Sequence, residues 1–307
     1  MKNAYLLLTA LLLGSSFGSS IQAKDSVRFN LALDGLVPKV GIETEKTISK
    51  SVTFCFTNDI KGEQFVTNSS WSFEIKFRDK ILTWDASNDF AKAEMVVDHF
   101  LFTEKDKTNE IVKPGTSLTG IFVAGEWSFV PSDGHLSDNV IQSLDKIFPM
   151  NPQHGIKDYD YLELNHPRLL GEIWKIETVP DLSRLNGLDN SFSSFIARTV
   201  VKGMNTNSVK STAEFVGTTN ISGFNCFQLR QTSNMHSETK RMDTFGELEA
   251  DLIVPFDSSR SFWKKSAAVN GLLLCKELKN GTNTIPIHGK FSMKIIIDCR
   301  EVTKKGH

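Results

Sequence analysis

Two runs near the C-terminus constrain this chain more than any other feature. Leu248, Ala250, Leu252, Val254 and Phe256 alternate with Glu247, Glu249 and Asp251, and Phe291, Met293, Ile295, Ile297 and Cys299 alternate with Ser292, Lys294, Asp298 and Arg300. Successive side chains of a strand point to opposite faces, so a period of two gives a sheet one apolar and one polar face. That is the habit of antiparallel sheets. An extended run, 262–278, lies between them and ends at Asn280-Gly281-Thr282-Asn283, which predicts a hairpin with the last run. A turn centred near Gly281-Thr282 places Cys275 opposite residues 286–289.

Upstream, the same reading predicts strands at 27–33, 52–57 and 71–78, with a turn at Asp79-Lys80 before a short continuation at 81–84. Segment 88–102 fits a helix capped by Ser87 or Asn88, and fits a strand through Val96, Val97, Phe100 and Phe102 equally well. Residues 120–130 return to an extended pattern. A helix over 137–149 follows, capped by Ser137, with Val140, Ile141, Leu144, Ile147 and Phe148 on one face and Pro149 at its end. After a Pro-, Gly- and charge-rich stretch come strands at 169–178, 195–203, 209–217 and 222–232, the last two joined by a turn at 218–221.

The expected fold is therefore mainly β, a curved antiparallel meander covered by one or a few helices. The expected division is a signal peptide over 1–23, an N-terminal β-rich half over 24–150, a connecting segment at 151–167, a C-terminal meander over 168–302 and a tail at 303–307. Lys2, the apolar run 5–13 and the small-residue site ending at Ala23 carry the signal-peptide reading, which implies export to a periplasmic or extracellular space. Removing that peptide takes away Lys2 and no acid from 35 basic and 36 acidic residues, so the charge stays near neutral. A neutral chain offers no electrostatic case for nucleic acid or an anionic membrane. No segment reaches the roughly 20 apolar residues of a transmembrane helix.

Four cysteines, Cys55, Cys226, Cys275 and Cys299, permit three disulfide pairings, or serve as small buried apolar residues. Since hairpin geometry disfavours Cys275 with Cys299, any bridge is expected to join one of these to Cys226. The seven histidines, His99, His135, His154, His166, His236, His288 and His307, show no metal-ligand spacing, and no cofactor is expected. Asp158, Asp160 and Glu163 read as a solvated acidic loop rather than a calcium site. Neither a Gly-x-Ser-x-Gly elbow nor a phosphate-binding glycine loop occurs, so no catalytic residue is assigned.

The chain contains 22 phenylalanines against three tyrosines. Such rings fill a core or line an apolar hollow. The sheet face bearing Phe215, Phe227, Leu229, Leu252, Val254, Ile295 and Ile297, roofed by Val140, Leu144 and Phe148, is the candidate lining for an apolar ligand. Several short motifs, namely Gly125-Glu126-Trp127, Asp133-Gly134, the stretch from Pro167 to Trp174, Ala213 to Gly217 and Gly223 to Phe227, are similar to uncharacterised families of bacterial exported proteins. Those families resemble lipoprotein-carrier half-barrels of the LolA and LolB kind. The resemblance implies an apolar-ligand or lipid-handling role without catalysis. A structural or protein-interaction module of the envelope is the alternative expectation, and a hydrolase the third.

Overall fold

Asn280 and Asn283 pair across the predicted turn, and behind them Cys275 faces Ile287. This hairpin joins β13 (Trp263–Asn280) to β14 (Asn283–Glu301) in a computed structural model that describes residues 27–31, 39–60, 63–85, 90–123, 126–138, 140–141, 144, 162, 164, 166–176, 208–238, 242–280 and 283–302. The expected signal peptide, strand 195–203, acidic loop and C-terminal tail lie outside the described residues.

Before that hairpin come β1 (Arg28–Phe29), β2 (Glu43–Ile60), β3 (Glu63–Asp85), β4 (Phe90–Glu104), β5 (Lys107–Val112), β6 (Thr116–Val123) and β7 (Glu126–Pro131). Then follow β8 (Arg168–Leu169), β9 (Ile173–Ile176), β10 (Ser208–Ile221), β11 (Phe224–Glu238) and β12 (Met242–Pro255). Twelve strands form one sheet in the order β7-β6-β4-β3-β2-β14-β13-β12-β11-β10-β9, with β5 beside β4, and β1 pairs separately with β8. The pairings are antiparallel, most between strands consecutive in the chain. The exception that matters is β14 against β2, in register from Ile287↔Asn58 to Glu301↔Thr44. It welds the N-terminal half to the C-terminal meander in one sheet. Among the described residues β7 and β9 do not pair with each other, so the sheet stays open.

One face carries the core. Ile48, Val52, Phe54 and Phe56 of β2, Trp71, Phe73, Ile75 and Phe77 of β3, and Phe291, Met293 and Cys299 of β14 are buried at alternate positions, as their period of two requires. The opposite face carries Thr47, Ser49, Ser51, Glu74, Lys76 and Arg78, which are wet or half-buried.

Several expectations change. Segment 90–104 is strand, its buried alternation through Ala91, Ala93, Met95 and Val97 deciding the case against a helix. Asp79-Lys80 is no turn. The strand runs through it, bulging at Lys76/Phe77 and Ile81/Thr83, and Asp79 points into the core. The turn between β10 and β11 falls at Ser222-Gly223, where both residues adopt positive φ and the Gly223 amide donates to Asn220 Oδ1 at 3.1 Å. Among the described residues no covering helix is seen. Of the predicted helix, the described residues Asp138, Val140, Ile141 and Leu144 are helical, starting where Val140 and Ile141 amides reach the Ser137 carbonyl at 2.9 and 3.1 Å. Leu144 is buried in the core, and the remainder of the predicted helix lies outside the described residues.

Candidate functional site

The residues expected to line an apolar hollow are brought together, and they are packed. Phe215 faces Leu229 across β10 and β11, Leu229 faces Leu252, and Phe227 faces Val254. These five, with Ile297 and Leu144, are buried in a single core cluster against which Ile295 and Val140 pack. The Phe215 ring meets Phe29 edge-on at 5.2 Å, and Phe227 lies 5.1 Å from Phe256. Phe148 lies outside the described residues. The described members of this set do not line either concavity described next.

The concave region lies on the other face. A groove of about 1090 Å³ crosses the polar side of the sheet near the β13–β14 hairpin end. Two cross-strand rows form it. The first runs Ser70, Thr53, Ser292, Asn270, Glu247, Asn234 and Lys210, each the register partner of the next. The second runs Asn68, Cys55, Lys290, Leu272, Phe245 and His236. At about 4.8 Å per strand, the first row spans roughly 29 Å from β3 to β10. The groove is therefore elongated across the strands. Its volume lies just above the ~300–1,000 Å³ usual for small-molecule sites.

Apolar groups stand exposed within it. Phe245 is 41% exposed and Leu272, its cross-strand partner, is 46% exposed. The His236 ring stacks on Phe245 with centroids 4.4 Å apart and planes 9° from parallel. Gly246 and Gly271, partners in register, contribute backbone to the groove. Paired glycines let a sheet bend, and the Phe291 ring from the core face occupies the space a Gly271 side chain would need. A smaller concavity of about 340 Å³ continues on the same face along Thr108, Thr103, Ser72, Ser51 and Lys294.

Charge is distributed unevenly over this face. Arg78 pairs with Glu43 and Asp98, Lys76 with Glu45, and Arg300 with Glu45 and Asp298. Arg230 bonds Asp251 at 3.0 Å, an interaction that holds its guanidinium above the usual arginine range. In the groove, Lys105, Lys210 and Lys290 form no ion pair among the described residues, and Glu247 is the one acid among its lining residues.

A second polar cluster lies inside the core. Lys46 is fully buried and forms a salt bridge with buried Asp79. Thr44 Oγ1 donates to Asp79 at 2.6 Å and accepts from Lys46 Nζ at 2.6 Å, while the ammonium lies 5.8 Å from the Phe77 ring centroid. Cys299, the register partner of Lys46, has its thiol pushed up to about 12 by burial. The sequence patterns missed this cluster because a lysine and an aspartate at inner positions read as breaks in a strand.

Cys55, Cys226 and Cys299 are free, Cys55 exposed and the other two buried. The expected bridge to Cys226 is corrected by geometry. Cys226 on β11 and Cys299 on β14 stand three strand spacings apart, about 14 Å, and Cys275 faces Met242 at the far end of β12 from Pro255, which faces Cys226. A disulfide needs Cα atoms within about 7 Å. Burial also pushes the Cys226 thiol up. Among the described residues no group of three His, Cys, Asp or Glu could hold a metal, and His99 bonds Glu74 at 2.9 Å.

No family model matches the chain, and no curated protein matches it. Among solved structures, one of lipid–protein interactions in lipovitellin aligns at TM-score 0.32 and 9% identity, covering 85% of this chain and 26% of that one. A loop-deletion mutant of OmpT, an outer membrane protein of Vibrio cholerae, aligns at TM-score 0.23 and 8% identity, over 83% of this chain and 99% of the other. A mutant of the monoaromatic hydrocarbon channel TodX aligns at 0.21 and 8%, over 91% and 96%. The chain thus spans about a quarter of the lipovitellin chain, and scores this low carry no argument about function. The sheet's own chemistry is more informative. The lipid-facing side of a transmembrane barrel is an apolar band, whereas the exposed side here bears Ser, Thr, Lys, Glu and Arg.

Proposed function

We propose that this chain is an exported, non-catalytic binding protein whose ligand is an elongated, partly apolar molecule such as a lipid chain, held in the open groove across the polar face. The observation that carries the reading is the exposed pair Phe245 and Leu272 at the centre of that groove, on a sheet whose other apolar side chains are largely turned inward. Solvent-exposed neighbouring apolar side chains in a concavity mark a ligand site. Each methylene laid over them contributes about 0.8 kcal/mol, so a chain of several methylenes offsets much of the roughly 4–15 kcal/mol cost of association. The lipid-handling role implied by the carrier resemblance is kept, and this reading places it in the groove on the polar face.

Displacement of a neutral fluorescent lipid probe tests this. The purified chain should bind the probe saturably, and Leu272→Asn or Phe245→Ser should each weaken binding about 5-fold, the equivalent of about 1 kcal/mol of apolar contact. Val130→Asn, exposed on β7 and outside the groove, should leave affinity unchanged. Absence of saturable binding, or equal loss in all three variants, would remove the proposal.

A further inference from the structure

We infer that the occupant of the groove is an anionic single-chain amphiphile, a long-chain carboxylate whose head is held at Lys290 while its tail crosses Leu272 and Phe245. This deepens the binding function proposed above and rests on it.

Three lysines line the groove, at its two ends and in the middle, against the single acid Glu247. Four other cations on this face, Lys76, Arg78, Arg230 and Arg300, are each paired with a carboxylate, whereas Lys294 in the adjoining concavity forms no ion pair among the described residues. Lys105, Lys210 and Lys290 have no such partner among the described residues. A concave surface with an excess of unpaired cations attracts an anion.

Lys290 is the position where charge and apolar surface meet. Its register partner on one side is Leu272, whose own partner is Phe245 and then His236. On its other side stands Cys55, followed by Asn68. From Lys290 the row therefore runs apolar in one direction over three strand spacings, roughly 14 Å, to the His236 ring. An ammonium is a compact point charge with three rotatable donors, suited to a carboxylate at the end of a mobile chain. Lys210 faces Asn234 instead, and with Lys105 it supplies field rather than contact.

The experiment uses the full mature chain and three twelve-carbon probes below their micelle concentrations, namely laurate, 1-dodecanol and dodecyltrimethylammonium, each displacing the same neutral fluorophore. Laurate should bind about 10-fold more tightly than dodecanol, and the cation most weakly. Lys290→Gln should lower laurate affinity about 10-fold and dodecanol affinity less than twofold, and added salt should weaken laurate selectively. Equal affinity for laurate and dodecanol in the unmodified chain overturns the inference while leaving the groove itself as a lipid site. Equal loss of both ligands in Lys290→Gln also overturns it. If none of the three displaces the fluorophore, the groove fails as a lipid site and the inference fails with it.

Discussion

Phe56 of β2 lies over Gly289 of β14, its cross-strand partner, so closely that a Cβ on Gly289 would stand 2.2 Å from Phe56 Cδ1. The same relation recurs at Gly271, where an added Cβ would meet Phe291 at 2.2 Å and the Phe245 carbonyl oxygen at 2.6 Å. Glycine is required in both places because a large ring on one strand uses its neighbour's side-chain space. Unlike the hairpin pairings, β2 against β14 has no turn to set its register, and the Phe56–Gly289 fit is one feature that does so.

Gly289→Ala should therefore destabilise the fold by about 1–3 kcal/mol, the usual cost of overpacking. Gly271→Ala should cost more, since a backbone oxygen as well as a ring must move. In a Phe56→Leu background the Gly289→Ala penalty should shrink. Urea midpoints of the four chains in that double-mutant cycle check the coupling, and strict additivity would show that the ring does not contact the glycine site.

Lys46→Met should cost about 3–5 kcal/mol, because it strands the Asp79 carboxylate in the core without its cation. Adding Asp79→Leu should restore most of that loss, the two apolar side chains replacing a desolvated pair. Thermal unfolding of the single and double variants separates this from simple bad packing, in which case the second change would deepen the defect.

Thiol chemistry should divide the cysteines. In a Cys275→Ser background the native protein should react with an aromatic disulfide reagent at Cys55 alone, and all three thiols should react after unfolding. Two or more fast thiols in the native state would contradict the burial of Cys226 and Cys299.

The Cys299 thiol also makes a pH prediction. Its native value is raised from 9.0 to about 12, so the unfolded chain gives up that proton first as pH rises. The contribution to stability is intact below pH about 9 and is lost progressively towards pH 12, by up to on the order of 4 kcal/mol at about 1.36 kcal/mol per pH unit. Cys299→Ala should flatten this part of the alkaline stability profile relative to the unmodified chain. Superimposable profiles would show the thiol to be solvated.

The sheet was legible where apolar side chains keep strict alternation. The β12 run, the β13–β14 hairpin and the placing of Cys275 near 286–289 follow from the period of two and the turn residues, and the structure pairs Cys275 with Ile287. Strand ends were less legible. β2 begins at Glu43 rather than near 52 because Thr44, Lys46 and Lys50 occupy inward positions, where only a partner on another strand reveals that a polar side chain can be buried. Lys50, for instance, sits 5.2 Å from the Trp71 ring. The groove was not legible at all. Its floor is assembled from β2, β3 and β10–β14, and Phe245 and Leu272 lie on the polar side of their strands, where a pattern reader counts them as stray residues.

The junction of β2 with β14 sets the order in which this molecule can assemble. The strands on either side of it join largely neighbours in sequence, so each meander closes short loops and can form early. The junction instead brings residues from opposite ends of the chain together, and until it zips, both strands present a long, alternating, unpaired edge. Partly folded chains are thus open to pairing with one another along that edge, and a second molecule offering its β14 to the first one's β2 would form an exchanged dimer with the same contacts as the monomer.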